Sequence, residues 1–199
     1  MILKRIIFGG WRRFRKSTFT PINIFLNIIF FLLRELFLGF ENANNYLKCV
    51  SQSSIIPILR LKGAKIDERC NIQTGITIHN CRNYKGLTIG KNCHIGKNCF
   101  LDLRDTITIG NNVVIAMNNT FITHMDMNNS NLRELYPASQ APVIIKDDAY
   151  LGVNCTILMG VTVAIKSIVG ANSLVTKDLN EKTINAGSPA VKIKDIDGI

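Results

Sequence analysis

The chain has 199 residues, of which 47% are hydrophobic and only 19% charged, and its mean hydropathy is +0.17. This composition allows a sizeable core and excludes a disordered chain, and the length fits one domain with an ordered appendage. The net charge of +10 is unevenly distributed, because residues 1–40 contain seven basic side chains and one acid, which leaves +4 for the rest.

The N-terminal segment is basic at first and then apolar. Six basic residues precede residue 17 with no acid among them: Lys4, Arg5, Arg12, Arg13, Arg15 and Lys16. They lead into a stretch, residues 22–40, whose apolar side chains follow helical spacing, with Asn23, Asn27 and Arg34 on the opposite side. The arm lacks a polar recognition element, so we expect no nucleic-acid partner. The pattern favours a helix on an anionic membrane surface, with residues 1–40 as the contact.

Two other interpretations of this stretch stay open. A helix packed on the domain or on a neighbouring subunit would show the same pattern. A spanning helix or a signal peptide is less favoured, because the uninterrupted apolar part, residues 28–33, is far shorter than the ~20 residues that a span needs, and no small-residue cleavage site follows. We predict residues 1–55 as a basic amphipathic helical segment and residues 56–199 as the folded domain.

From Ile66 onward the chain shows an internal repeat with a period of six. An aliphatic or aromatic residue opens each of fifteen hexads: Ile66, Ile72, Ile78, Ile89, Ile95, Leu101, Ile109, Ile115, Phe121, Ile145, Leu151, Ile157, Val163, Val169 and Val175. Six is three times the strand period, so each hexad predicts a short strand and a corner, which glycine in the second position eases. Three strands per turn predict an all-β solenoid of about five coils, capped by the N-terminal helix and the C-terminal tail.

The breaks in the repeat all follow the third hexad of a coil. The insertions are residues 84–88, 107–108 and 127–144, so all three leave the solenoid at the same corner. The longest is too long for a tight turn, and we predict that it is a functional loop.

Four of the six cysteines occupy the fifth hexad position, which takes a small inward side chain: Cys70, Cys93, Cys99 and Cys155. Free cysteine behaves as a small hydrophobe when buried. Without a CxxC pair, the pattern predicts core thiols rather than disulfides or a zinc site. Reduced thiols indicate the cytoplasm, and the basic helix extends this expectation to a peripheral position on the inner face of the cytoplasmic membrane.

Five segments resemble the hexapeptide-repeat acetyltransferases, above all those that acetylate maltose, galactosides and bacterial polysaccharides: IGKNCHIGKNCF, FITHMD, YLGVNCTILMGVTV, VGANSLVTKD and AGSPA. The likeness covers residues 56–194. It implies a left-handed parallel β-helix, a homotrimer with active sites between subunits, and acetyl-CoA as the donor. The chain departs from the family pattern at Tyr150, where Trp is usual, and at three positions where glycine is expected: Ala116, Lys146 and Ala164.

The resemblance assigns the catalytic base to His124, which stands in the family's ITH motif directly before the long loop. A neutral imidazole is suited to take the proton of a sugar hydroxyl near pH 7. Asp102 lies one coil earlier on the same face and aligns with a family Asn that contacts the acceptor. A carboxylate there would bind hydroxyls or orient the imidazole, or it is a solvated turn acid. Asp105 and Asp126 are further candidates for orienting the base.

The resemblance also assigns a donor site, consisting of Gly152, Ala171, Thr176 and Lys177 along the pantetheine and nucleotide groove. Lys177 and Lys192 would face the donor phosphates, or they are ordinary surface lysines. His79 and His94 do not form the close histidine pair of the zinc-dependent members of the fold, so we expect no metal.

The expected function is therefore acetyl-CoA-dependent O-acetylation of a sugar hydroxyl on a bacterial surface-polysaccharide precursor. Two alternatives stay open: a non-catalytic β-helical scaffold at the membrane, and an N-acyltransferase that acts on an amino sugar. Donor affinity would exclude the scaffold, and an amine acceptor compared with its hydroxyl analogue would separate the two acyltransferases.

Overall fold

A computed structural model describes the backbone of residues 2–197 and the side chains of residues 19–197, so the six basic side chains of residues 4–16 lie outside the described part. Three helices come first: α1 (Ile2–Leu38), α2 (Phe40–Tyr46) and α3 (Gln52–Leu61). The predicted boundary between residues 55 and 56 falls inside α3, and the first β-strand begins at Lys65.

Short parallel strands form the three faces of a triangular coil. Sheet A consists of β1 (Lys65–Ile66), β4 (Leu87–Ile89), β7 (Ile107–Ile109), β12 (Val143–Ile145) and β15 (Thr162–Val163). Sheet B consists of β2 (Asn71–Ile72), β5 (His94–Ile95), β8 (Val114–Ile115), β13 (Tyr150–Leu151), β16 (Ile168–Val169), β18 (Thr183–Gly187) and β19 (Ala190–Asp195). Sheet C consists of β3 (Thr77–His79), β6 (Phe100–Asp102), β9 (Thr120–Phe121), β14 (Thr156–Ile157) and β17 (Leu174–Val175).

The chain visits sheets A, B and C in turn, which confirms the predicted parallel β-helix. Within residues 65–197 it completes five turns and starts a sixth, where Leu179 pairs with Val163 and β18 pairs with β16. The prediction of about five coils was therefore short by this partial turn. The antiparallel hairpin of β18 and β19 closes the C-terminal end, and α3 covers β1 and β2 at the other end.

The first residues of the fifteen hexads form the core. All fifteen are buried, and none is more than 7% exposed. Each such side chain contributes about 1.5–3 kcal/mol through burial. The thiols of Cys93, Cys99 and Cys155 are buried among them, as predicted, whereas Cys70 in the end turn is half-buried. Each thiol donates to a carbonyl of the following turn, such as Cys93 Sγ to Gly110 O at 3.0 Å.

The regular corners share one backbone feature. Within residues 65–175, all ten corners from sheet A to B and from B to C place the fourth hexad residue at positive φ: Arg69, Gly75, Asn92, Asn98, Asn112, Asn118, Asp148, Asn154, Lys166 and Asn172. Asparagine, the commonest of them, tolerates this left-handed conformation well. The corner from sheet C to A lacks this regularity, and all the insertions leave from it.

The glycines in the second hexad position serve a different purpose from the one predicted. None of Gly90, Gly96, Gly110, Gly152 and Gly170 has a positive φ. Instead, a Cβ atom at Gly96 would come within 2.5 Å of the backbone carbon of Ala116 in the next turn. These glycines therefore allow close stacking of successive turns rather than a special corner conformation.

We expect Gly96→Ala to destabilise the protein by roughly 1–3 kcal/mol, because backbone atoms of the next turn must shift. Gly86→Ala is the matched control, since its Cβ would meet no atom closer than 3.8 Å. Urea unfolding of both variants measures the difference. Equal midpoints for the two would contradict the stacking argument.

The insertions leave at the predicted corner, but their bounds differ from the prediction. Leu87 and Thr88 pair with residues 107 and 108 in sheet A. Val143 and Ile144 also belong to sheet A, so the long loop ends at Pro142 rather than at residue 144. Strands β4, β7 and β12 each begin two residues before the residue that opens their hexad. Counting from that residue therefore assigned the first two residues of each strand to an insertion.

The first insertion is part of the N-terminal cap. Tyr84 is fully buried there. Its hydroxyl donates to Asn44 Oδ1 at 3.0 Å, and its ring lies 5.5 Å from that of Phe40. This insertion therefore joins the β-helix to α2.

The six cysteines differ in accessibility, and only Cys49 among them is exposed. Burial, reinforced by the charge of Asp102, raises the pKa of the Cys81 thiol to about 11. Burial likewise raises the pKa of Cys93 to about 11. Because the thiolate is the reactive form, we expect iodoacetamide at pH 8 to alkylate one thiol rapidly in the native protein. Cys49→Ser should remove that fast phase, and two or more fast thiols would contradict the burial pattern.

Candidate active site

His124 and Asp102 meet at the corner between sheets C and A. The Nδ1 atom of His124 lies 2.6 Å from Oδ2 of Asp102. The carboxylate side chain is 1% exposed, whereas the imidazole is 23% exposed. Strand β6 ends at Asp102, and β9 delivers His124 one turn later. The structure therefore brings together the two residues that the sequence singled out for catalysis.

Four hydrogen bonds hold the buried carboxylate. Oδ2 accepts from the backbone N–H and the hydroxyl of Thr123, each at 2.9 Å, and from His124. Oδ1 accepts from Asn80 Nδ2 at 2.9 Å. Burial alone would raise the pKa of Asp102, but the hydrogen bonds from His124, Thr123 and Asn80 outweigh it and lower the pKa below its ordinary value. Asp102 is therefore a carboxylate at neutral pH.

This ionised partner fixes the tautomer of the imidazole. A carboxylate only accepts hydrogen bonds, so Nδ1 of His124 carries the proton and Nε2 presents its lone pair. Nε2 lies 3.4 Å from Nδ2 of Asn80. The arrangement leaves Nε2 as the atom that can take a proton from a bound hydroxyl group.

The two ends of the long loop pair with each other at His124. Strand β10 (His124–Met125) pairs antiparallel with β11 (Ser139–Gln140), so the end of the loop returns beside its start. A cleft of about 160 Å³ lies at this junction, and its lining includes Arg104, His124, Met125, Asp126, Ala138, Ser139 and Gln140. The loop itself is exposed throughout residues 131–140. Its base thus supplies a small open cleft beside the histidine.

The other two acids proposed to orient the histidine do not contact it. Asp105 Oδ1 accepts from the backbone of Thr106, and Asp126 Oδ1 accepts from the backbone of Asn128. Asp126 also lies 3.8 Å from the Arg104 guanidinium. Asp102 alone of the three candidates is in place to orient His124.

The predicted donor residues lie at three places on the chain. Gly152 and Ala171 stack in successive turns at the corner between sheets B and C. Thr176 and Lys177 follow β17, at the same corner as His124 but two turns further along. Lys192 lies on β19, where its Nζ is 2.7 Å from Asp195 Oδ1. One chain therefore does not gather these residues around His124.

The histidines outside the site remain apart. His79 is exposed and pairs in register with Asp102 on the neighbouring strand, whereas His94 is half-buried on sheet B. In the part of the chain whose side chains are described, no group of three or more His, Cys, Asp or Glu residues is arranged to hold a metal ion.

Sequence reasoning missed two residues of this site, Asn80 and Thr123. Their signal was available in the repeat, because the third hexads of the first three coils begin at Ile78, Leu101 and Phe121. Several polar residues follow these starts within three positions, and among them Asn80, Asp102, Thr123 and His124 meet at one corner. Aligning the coils in register would have grouped all four.

Comparison with known proteins agrees with the repeat and the fold. The family described as the hexapeptide repeat of succinyl-transferase matches residues 86–123 and 142–177. The galactoside O-acetyltransferase of Escherichia coli strain K12 is 34% identical over 113 residues, which are 54% of this chain and 56% of that protein. The chain therefore carries the hexapeptide repeat and is similar, over about half its length, to a galactoside O-acetyltransferase.

Solved structures of hexapeptide-repeat acetyltransferases extend this comparison. A maltose O-acetyltransferase from Clostridium difficile 630 is 26% identical, covers 73% of this chain and 76% of its own, and has a TM-score of 0.63. An acetyltransferase of Vibrio cholerae, solved with acetyl coenzyme A, has a TM-score of 0.67 over 78% of this chain and 86% of its own. At 24% identity, the latter supports the fold alone. The left-handed β-helix is thereby confirmed, while the chain spans about half the length of the first curated relatives it matches.

Proposed function

We propose that this protein is an acetyl-CoA-dependent O-acetyltransferase that acts on a sugar hydroxyl of a surface-polysaccharide precursor. The observation that carries the proposal is the contact between His124 and the buried carboxylate of Asp102, beside an open cleft. The named relatives that acetylate galactosides and maltose support a sugar acceptor and an acetyl group. The V. cholerae protein, whose fold is similar, binds acetyl coenzyme A.

The chemistry needs one base and no covalent enzyme intermediate. Nε2 of His124 takes the proton of the sugar hydroxyl as its oxygen attacks the thioester carbonyl carbon. The new C–O bond forms, the C–S bond breaks, and the imidazolium returns its proton to the leaving coenzyme A sulfur. Asp102 holds the imidazole in the required tautomer and stabilises its transient positive charge. It acts through His124 and is therefore a positioning residue.

A homotrimer is part of the proposal, because a single chain does not bring the donor residues beside His124. Gly152 and Ala171 lie at a different corner of the prism from His124. Side-by-side packing of three prisms would bring a B–C corner of one subunit against a C–A corner of the next. The donor would then lie in the groove between two subunits, with Thr176, Lys177 and Lys192 along its edges.

The first experiment is calorimetric titration of acetyl-CoA into the purified protein, because it needs no knowledge of the acceptor. We expect about one site per chain with a dissociation constant in the micromolar range. Release of coenzyme A thiol is then measured with a panel of sugars. Absence of binding at millimolar donor would reject the transferase and leave the scaffold.

The N-acyltransferase is an outcome of the same assay. Each sugar is paired with the amino sugar that carries an amine in place of the reacting hydroxyl. Faster thiol release with hydroxyl acceptors supports O-acetylation. Faster release with the amines at a pH where they are neutral would reassign the acceptor while keeping the role of His124.

A further inference from the structure

Helix α1 packs on the rest of the protein through its polar side. Asn27 Nδ2 donates to Ser54 Oγ at 3.1 Å, and Tyr46 donates its hydroxyl to Asn27 Oδ1 at 2.6 Å. One turn from the helix end, Glu35 forms an ion pair with Lys62 at 2.6 Å. Of the apolar residues, Phe31 is fully buried on this side. These contacts fix the rotation of α1 against α2 and α3.

The same rotation turns the apolar side of α1 outward. Ten large apolar side chains between residues 19 and 38 are 41–75% exposed: Phe19, Ile22, Phe25, Leu26, Phe30, Leu32, Leu33, Leu36, Phe37 and Leu38. Most of them fall within an arc of roughly 160° at about 100° per residue. So large a continuous apolar surface is unusual on a soluble monomer and marks a contact with another phase or molecule.

We propose that this outward face of α1 docks on the surface of an anionic lipid bilayer, with the helix lying in the plane of the membrane. The width of the apolar face favours a lipid surface, because contact between two helices needs only a narrow apolar stripe. Charge also agrees, since the same continuous helix begins with the basic segment of residues 4–16, and residues 1–40 carry a net charge of +6. Basic and aromatic residues together on one such helix are typical of interfacial anchors.

The contacts of α1 favour the in-plane orientation over a span. Residues 19–38 are long and apolar enough to cross a membrane by length and composition, with a mean hydropathy of 1.8. A span would, however, carry the packed helices α2 and α3 into the hydrocarbon, together with the Glu35–Lys62 ion pair and Arg34, which donates to Asn42. Burial of such charges in lipid is costly. Docking by one face leaves all of them on the aqueous side.

The test is flotation of the full-length chain with lipid vesicles in a density gradient. The probes are vesicles of phosphatidylcholine alone and vesicles in which roughly one third is phosphatidylglycerol. Leu36→Glu places a charge on the outward face. Leu135→Glu is the matched control, because both leucines are 74% exposed and Leu135 lies on the long loop after His124 rather than on α1.

We expect the unchanged protein and Leu135→Glu to float with the anionic vesicles and to float less with phosphatidylcholine alone. Leu36→Glu should lower the partition coefficient by about ten-fold or more, since a charge replaces buried apolar surface. Thermal melting checks that the variant is folded, and Phe37→Ser, at a 75% exposed position, provides a second disruption.

Three results would overturn the proposal. The first is failure of the unchanged protein to float with anionic vesicles, and the second is equal flotation of Leu36→Glu and Leu135→Glu. The third is a fall in molar mass by light scattering for Leu36→Glu alone, which would assign the face to a second copy of the chain. The assay needs neither donor nor acceptor, so its failure is distinguishable from failure of the proposed acetyl transfer.

Discussion

His124→Ala is expected to lower the turnover of acetyl transfer by about 10²–10⁴-fold, which is the usual contribution of a general base. The physical reason is the orientation of the imidazole, whose Nδ1 is held by Asp102 so that Nε2 remains to take the proton, in a residue that lines the cleft. Donor affinity should change little, because the residues assigned to the donor lie elsewhere. The measurement is thiol release from acetyl-CoA at saturating acceptor, with calorimetry of donor binding beside it.

His94→Ala is the matched control for this variant. His94 is also partly exposed, but it lies on sheet B, away from the C–A corner. We expect it to retain the turnover of the unchanged protein. Retention of full turnover by His124→Ala would remove the histidine from the chemistry, and a matching loss in His94→Ala would point to a general effect of the substitution on the fold.

The β-helix could be predicted from the sequence because its determinant is periodic. A residue such as Ile95 or Leu151 is buried by its place in the repeat, and fifteen such positions agree with one another. The strand bounds at the irregular corner could not be predicted, because Leu87 and Val143 lie outside the hexads. Their place in sheet A is decided by pairing with Ile107, which periodicity within a single strand does not reveal.

The candidate site could be predicted only as far as its residues are tied to the repeat. The register of the coils put Asp102 one turn before His124, and the structure adds the contact itself. The partners of Asp102 depend on side-chain direction at a corner, where Asn80 adopts a positive φ of 55° and so turns its amide towards the carboxylate. The hexad pattern does not specify the direction of the Asn80 side chain.

The rotation of α1 shows a different limit of sequence reasoning. Asn23, Asn27 and Arg34 were correctly placed opposite the apolar face, but helical spacing cannot tell which of the two faces packs on the protein. The usual expectation is that the apolar face turns inward. Here Ser54, Tyr46 and Lys62 supply polar partners, so the polar face packs inward instead.

Asp102→Asn is expected to lower the rate of acetyl transfer while preserving the fold around position 102. The amide has nearly the shape of the carboxylate, and its oxygen can still accept from Thr123 and from Nδ1 of His124. It carries no negative charge, however, so it cannot stabilise the imidazolium that forms when His124 takes the proton. If the amide nitrogen faces Nδ1 instead, the imidazole changes tautomer and Nε2 loses its lone pair. Either arrangement should lower turnover by about 10²–10⁴-fold while leaving donor affinity unchanged.

Asp105→Asn is the control, since this carboxylate bonds to the backbone of Thr106 and does not contact the histidine. Asp102→Ala should in addition lose about 2–5 kcal/mol of stability, because it leaves the buried N–H of Thr123 without its acceptor. Normal turnover in Asp102→Asn would mean that the carboxylate serves the fold only.

The pH dependence of stability gives an independent check on the same carboxylate. The pKa of Asp102 is lower in the folded chain than its ordinary value of about 3.9, which applies in the unfolded chain. Its contribution to stability is therefore fully present above that ordinary value and is lost as the pH falls through the folded pKa. We expect the difference in melting temperature between the unchanged protein and Asp102→Ala to be smaller below the ordinary pKa of a carboxyl group than at neutral pH. A difference that grows in acid would mean that the hydrogen bonds from His124, Thr123 and Asn80 do not favour the ionised form of Asp102. The assignment of a fixed imidazole tautomer, which depends on that ionised form, would then be wrong.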